Sequence, residues 1–180
     1  MNRLTQLDPA HATGKTKQLF DDVQAKLGFV PNLFRVLANA PAALESYLNF
    51  SGALAGGSLN ARVREQISLA VAESNLCGYC LSAHTFIGGK VGLTQKEIVD
   101  AIHATAAPSK TDAVLKLARS IVVQRGEISN SDLERARTAG LNDGEIVETV
   151  ANVVLNILTN YVNHVARTLV DFPEVKPGQV

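Results

Sequence analysis

Almost every stretch of this chain repeats its apolar residues at helical spacing, and no region alternates with period two for long enough to make a confident strand. That pattern limits the fold to helices packed on helices. Glycines and capping residues then divide the chain. A stripe of Leu19, Phe20, Val23 and Leu27 predicts a helix over 15–27, stopped by Gly28. A short helix lies between Pro31 and Pro41, and Pro41 opens the next, which ends at Gly56 and Gly57. Ser58 or Asn60 caps a helix over 61–74. An apolar helix follows from about 77 to 91, stopped by Gly92. Thr94 and Glu97 form a capping box for a helix to about 106, which Pro108 breaks. Helices over 111–124, 129–139 and 142–170 complete the chain, and FPEVKPGQV is a C-terminal loop. The expectation is a single all-α domain over 1–180: N-terminal helices in 14–57, a central segment in 58–106 and C-terminal helices in 111–170.

Lys plus Arg and Asp plus Glu both number 17, for zero net charge and a pI near 6.9. Nucleic acid and anionic membrane surfaces usually demand a basic face, so neither is the expected partner. The N-terminal MNRLTQLDPAHATGKTKQ has no apolar core of a secretory signal, and no run approaches 18 uninterrupted apolar residues. With only two cysteines, the expected location is the reducing cytoplasm, where a close thiol pair is more often catalytic or metal-binding than a permanent staple. Near-zero charge also suits self-association.

Both cysteines stand in NLCGYCLSAH, residues 75–84. Residues three and four apart share a helix face, so Cys77, Cys80 and His84 form one stripe if the helix begins at or just before Cys77. In a first turn, free N–H groups and the helix dipole favour a thiolate. The helices over 61–74 and from 77 are joined so briefly that they must reverse into an antiparallel pair. Folding the chain back near residue 75 sets Glu65 opposite roughly residue 85, hence facing His84, with Cys80 one turn nearer the bend. In a straight helix Glu65 and Cys77 would lie about 18 Å apart.

Blander readings compete at each position. Cys77 and Cys80 could be small buried apolar residues. A zinc site would need a fourth ligand and usually a second paired knuckle, which the sequence lacks. Glu65 could lie on a solvated face beside Arg62 and Arg64, and His84 could be a satisfied core histidine.

Glu65, eleven residues, Cys77, two residues, Cys80, three residues, His84: this spacing resembles the signature of the AhpD-like alkylhydroperoxidase family, within the carboxymuconolactone decarboxylase-like superfamily. GFVPNLFRVLANAP, VGLTQKEI and NYVNHVARTLVDFP resemble its peroxidase-related branch, so the likeness runs from about Gly28 to Pro173. The resemblance implies an antioxidant, cytoplasmic thiol peroxidase with an all-α AhpD-like fold and no metal or organic cofactor. It implies hydroperoxide reduction through a reversible Cys77–Cys80 disulfide, with Cys80 attacking the O–O bond, Cys77 resolving, and Glu65 and His84 relaying protons. It further implies a dithiol or lipoyl-type reductant and a homo-oligomer, a trimer or hexamer, or a dimer. Some relatives carry a second histidine just before the second cysteine. Here that residue is Tyr79, a hydrogen-bond donor but a poor proton acceptor at neutral pH.

Asn160, Asn163 and His164 on the last helix either line a pocket with Tyr79 beside the thiols, or satisfy helix ends or sit at a subunit contact, the commoner use. His11 and His103 read as surface residues. Gly14–Thr16 resembles the end of a phosphate loop, but Pro9 stands where that loop needs its first glycine. VGLTQKEIVDAI and AGLNDGEIVETV, 48 residues apart, echo each other, either as two capped amphipathic helices or as a duplicated unit. Two other functions stand beside the peroxidase: a carboxymuconolactone decarboxylase-like lyase, whose relatives lack the cysteine pair, and a non-enzymatic module that senses redox state.

Overall fold

A computed structural model describes residues 3–179. Met1, Asn2 and Val180, the outermost residues of the N-terminal segment and C-terminal loop read above, lie outside them. Among the described residues there are nine α-helices and no strand: α1 Gly14–Leu27, α2 Asn32–Leu37, α3 Pro41–Ala55, α4 Ala61–Ser74, α5 Gly78–Lys90, α6 Gln95–Ile102, α7 Ser109–Val123, α8 Asn130–Thr138 and α9 Asp143–Ala166.

The axis of the fold is α4. Residues 66–72 are buried without a break, so this helix is surrounded rather than amphipathic. Around it pack α5, α6, α7 and α9. Ile67, Leu69, Val71 and Leu81 are fully buried at this centre, each stabilising the fold by about 1.5–3 kcal/mol relative to exposure. One side is closed by α1, α2 and α3, while α8 lies on α7. Leu19, Phe20 and Val23 turn inward from α1, whereas Leu27 is half exposed. Among the described residues, no helix is long and apolar enough to cross a membrane.

Helix ends explain where sequence and structure part. At Gly28, Gly92 and Gly140 the backbone turns left-handed, as glycine allows. Among the described residues, four that are not glycine make the same turn: Leu76, Ala104, Arg125 and Arg167. Thus α6 ends at Ile102 rather than near 106, and α9 at Ala166 rather than near 170. The two echoing segments share one local device. Leu93 and Leu141 each donate back to the preceding helix, after which Thr94 with Glu97 and Asn142 with Glu145 form capping boxes.

Three connections hold α4 and α5 in place. At the bend, Leu76 N–H donates to the Glu73 carbonyl and Cys77 N–H to the Ala72 carbonyl, both at 2.9 Å, with Leu76 at φ 55°. This Schellman closure reverses the chain between the two helices. Before α4, Ser58 and Leu59 donate their N–H groups to the Glu148 carboxylate of α9, which keeps that carboxyl below its ordinary range. Gly57 permits the approach, because a Cβ there would stand 2.6 Å from Glu148 Oε2. Finally, the C-terminal loop returns over α5: Val175 N–H donates to Ser82 Oγ at 2.9 Å and Gly178 N–H to Glu73 at 2.8 Å.

Candidate active site

Cys77 is the N-cap of α5, and Cys80 lies in its first turn. The two sulfurs are bonded to each other, with Cα atoms 5.3 Å apart. Cys77 Sγ accepts the Cys80 N–H at 3.3 Å, and Cys80 Sγ accepts the Asn163 amide from α9, also at 3.3 Å. Both cysteines are buried. A thiolate at Cys80 would therefore meet an amide N–H and the positive end of a helix.

One turn beyond Cys80, His84 Nδ1 donates to Glu65 Oε2 at 2.7 Å across the α4–α5 pair. An ionised carboxylate only accepts, so this bond holds the ring proton on Nδ1 and leaves Nε2 as the basic nitrogen of a neutral ring. Each side chain of the pair is 18% exposed. The arginines flanking Glu65 turn elsewhere. Arg62 pairs with Glu97 at 2.5 Å, and Arg64 donates to the Leu59 carbonyl at 2.6 Å. Glu65 is thus bonded to the imidazole rather than to its helix neighbours.

Cys80, Ala83 and His84 border a cavity of about 540 Å³. Its walls include Phe29, Phe34, Tyr47, Tyr79, Phe86 and Phe172, six of the nine aromatic side chains in a chain poor in them. Phe172 comes from the C-terminal loop and packs against Phe29, Tyr79 and Phe86 with ring centroids 5.8–5.9 Å apart. Lys26 and Lys90 also line the cavity, and both are exposed. Behind His84, a polar chamber of about 70 Å³ touches Glu65, Tyr47, Arg64, Ser68, Asn152 and Asn156. Burial, helped by the Glu65 charge, pushes the Tyr47 phenol up to about 12.

The other candidates separate. Tyr79 lines the cavity with its ring, but its hydroxyl accepts the Leu33 N–H at 3.1 Å, and burial pushes its ionisation far above the ordinary value. It therefore stays neutral. Asn160 does not line the cavity: its Oδ1 accepts the Asn75 amide at 2.9 Å. His164 Nε2 donates to the Asn75 carbonyl at 2.8 Å, so both residues tie α9 to the bend. Asn163 is the member of that trio that reaches a sulfur. His11 and His103 are exposed. Sequence reasoning passed over the aromatic wall, whose residues are scattered from 29 to 172 with no local motif.

Residues 41–122 match the carboxymuconolactone decarboxylase family. A peroxidase-related protein from Ralstonia eutropha JMP134, described as an alkylhydroperoxidase AhpD core, superposes with a TM-score of 0.84 at 25% identity, covering 94% of this chain and 92% of its own. A peroxidase-related protein from Silicibacter sp. TM1040 gives 0.79 at 24% identity, covering 93% and 92%. The debrominase Bmp8, in complex with 2,3,4-tribromopyrrole, gives 0.81 at 14% identity, covering 94% and 91%. No protein of curated function matches the sequence. With its all-helical architecture and its CxxC pair at the start of α5, the chain has an AhpD-like fold, within which residues 41–122 are similar to the carboxymuconolactone decarboxylase family.

Proposed function

We propose that the protein is a thiol-dependent peroxidase, a disulfide oxidoreductase acting on hydroperoxides. The observation that carries this reading is the bonded Cys77–Cys80 pair, whose Cys80 shares a cavity with a carboxylate-held histidine. In the reduced protein the Cys80 thiolate attacks the distal peroxide oxygen. The O–O bond breaks, and the alkoxide leaves as an alcohol, taking from His84 Nε2 the proton that Nε2 removed from the Cys80 thiol when the thiolate formed. Cys80 becomes a sulfenic acid. Cys77 attacks that sulfur and expels water, forming the disulfide. A dithiol then restores both thiols, which suits the reducing cytoplasm. Glu65 orients His84 by accepting its Nδ1–H.

The test is direct. Stoichiometric peroxide should remove both free thiols per chain, and a dithiol should restore them. Cys80→Ser should abolish turnover; a variant that still turns over peroxide would end the reading. Cys77→Ser should complete the first step once and retain a trappable sulfenic acid.

A second reading is favoured by the cavity itself. About 540 Å³ walled by aromatic rings fits a ring-sized substrate better than hydrogen peroxide. Reductive dehalogenation of a halogenated aromatic would use the same cysteines: Cys80 takes the halogen from carbon, the ring carbon gains a proton, and Cys77 displaces halide to form the disulfide. Halide release from a bromopyrrole by the reduced protein would distinguish it.

We also infer a homo-oligomeric working form. Val147, Val150, Val154, Leu158, Tyr161 and Val165 make an exposed apolar stripe along α9, at the spacing of one helix face. Size exclusion should report more than one chain per particle.

A further inference from the structure

The two sulfurs face different openings. Cys80 borders the aromatic cavity, whereas Cys77 borders a separate pocket of about 260 Å³ between the start of α5 and the end of α9. Asn163, His164, Arg167 and Thr168 share this second pocket with Leu76, Gly78 and Tyr79, the last of which also lines the first. It is more polar than the first and carries the exposed Arg167 guanidinium, which forms no ion pair among the described residues. Cys77 thus sits beside amide, imidazole and hydroxyl side chains and an exposed cation, a setting that suits an anionic ligand.

We propose that this pocket is the reductant's entrance and that Cys77 is the sulfur the reductant attacks. The ligand class is a thiolate-bearing dithiol. Its thiolate forms a bond to Cys77 Sγ, and the Cys77–Cys80 bond breaks with its electron pair leaving on Cys80 Sγ. There the Asn163 amide N–H, 3.3 Å away, receives the negative charge. The second thiol of the reductant then attacks its own sulfur in the mixed disulfide and releases the Cys77 thiolate. The reductant leaves as a disulfide, two electrons pass to the protein, and its two thiol protons end on Cys77 and Cys80. Arg167 attracts the incoming anion. Oxidant and reductant thus approach opposite sides of one disulfide and need not displace each other. His164 lies about 100° round α9 from Val165, so the pocket opens beside the apolar stripe rather than beneath it.

This inference rests on the thiol–disulfide reading above, but its test needs no peroxide. The oxidised protein is mixed with a monothiol, 5-thio-2-nitrobenzoate or glutathione, and quenched at once with N-ethylmaleimide. Peptide mass spectrometry then locates both groups. The expected product carries the monothiol on Cys77 and maleimide on Cys80; the reverse assignment overturns the proposal. In a second arm, Arg167→Glu replaces an exposed side chain. It should slow disulfide reduction by dihydrolipoate about tenfold at low ionic strength, and the deficit should shrink as salt is added. A rate that is unchanged, or slowed equally at all salt concentrations, counts against the pocket. If these results hold while peroxide fails to oxidise the reduced protein, the reductant's entrance stands and the peroxidase reading falls.

Discussion

Nδ1 of His84 lies 2.7 Å from Oε2 of Glu65, although 19 positions separate them and they stand on different helices. The bond fixes both the orientation of the imidazole and its tautomer. Glu65→Gln keeps an oxygen that can accept from Nδ1 but replaces the acceptor-only carboxylate with an amide that can also present its NH₂ to the ring, so the tautomer is no longer fixed. The second-order rate of thiol oxidation by hydroperoxide should fall by about 10²-fold, the scale of a general acid–base contribution. Stopped-flow measurement of thiol loss checks this. An unchanged rate would remove Glu65 from the mechanism.

Asn163 donates to Cys80 Sγ from a helix far away in sequence. In Asn163→Leu the thiolate of the reduced protein loses an amide donor in a buried setting. Alkylation of Cys80 by iodoacetamide at neutral pH should slow by roughly tenfold, the worth of a hydrogen bond to a charged group. Asn163→Asp would place a carboxylate against the sulfur and should slow it further. Equal alkylation rates in all three proteins would show that the amide serves packing alone.

Leu76 holds the bend between α4 and α5 in a left-handed conformation and is 67% exposed. Its side chain gains little from burial and bears the steric cost of that backbone, about 1–2 kcal/mol for a non-glycine residue. Leu76→Gly should relieve most of it, partly offset by the greater freedom of glycine when unfolded. The expected net effect is a Tm increase of about 2 °C. A lower Tm would mean that Leu76 is held by contacts worth more than the strain.

The same residue shows what is legible in the sequence. The approach of Glu65 to His84 follows from two amphipathic segments, a short joint and equal rise per residue; tertiary detail adds only the distance. The termini of α6 and α9 are not legible, because Ala104 and Arg167 make left-handed turns that glycine usually signals, and tertiary packing sets those turns. The aromatic cavity is hidden for a related reason. Phe29, Tyr47, Phe86 and Phe172 meet only after the α1–α2 connection, α3, α5 and the C-terminal loop have packed, so no local pattern announces them. Asn163 stands beside Asn160 and His164 in one short helical run, and periodicity alone cannot say which of the three turns toward the sulfur.

Tyr47 supplies a pH test of the buried side of the site. Burial first, and the nearby Glu65 charge second, push its phenol up to about 12, from an unfolded value near 10. The folded-state value is the higher one, so the folded protein holds its proton where the unfolded chain releases it. The stability linked to Tyr47 is therefore fully present below pH 10 and is lost as pH rises through about 12. Tyr47→Phe cannot ionise and should lack this alkaline loss: its Tm, relative to the unmodified protein, should rise between pH 10 and 12. Near-ultraviolet titration of tyrosinate should lose one late-ionising phenol in the same variant. In Glu65→Gln that phenol should ionise at lower pH, because the repelling charge is gone. A late phenol unmoved by Glu65→Gln would place the carboxylate's charge too far from the ring to act on it, contradicting the polar chamber that Tyr47 and Glu65 share.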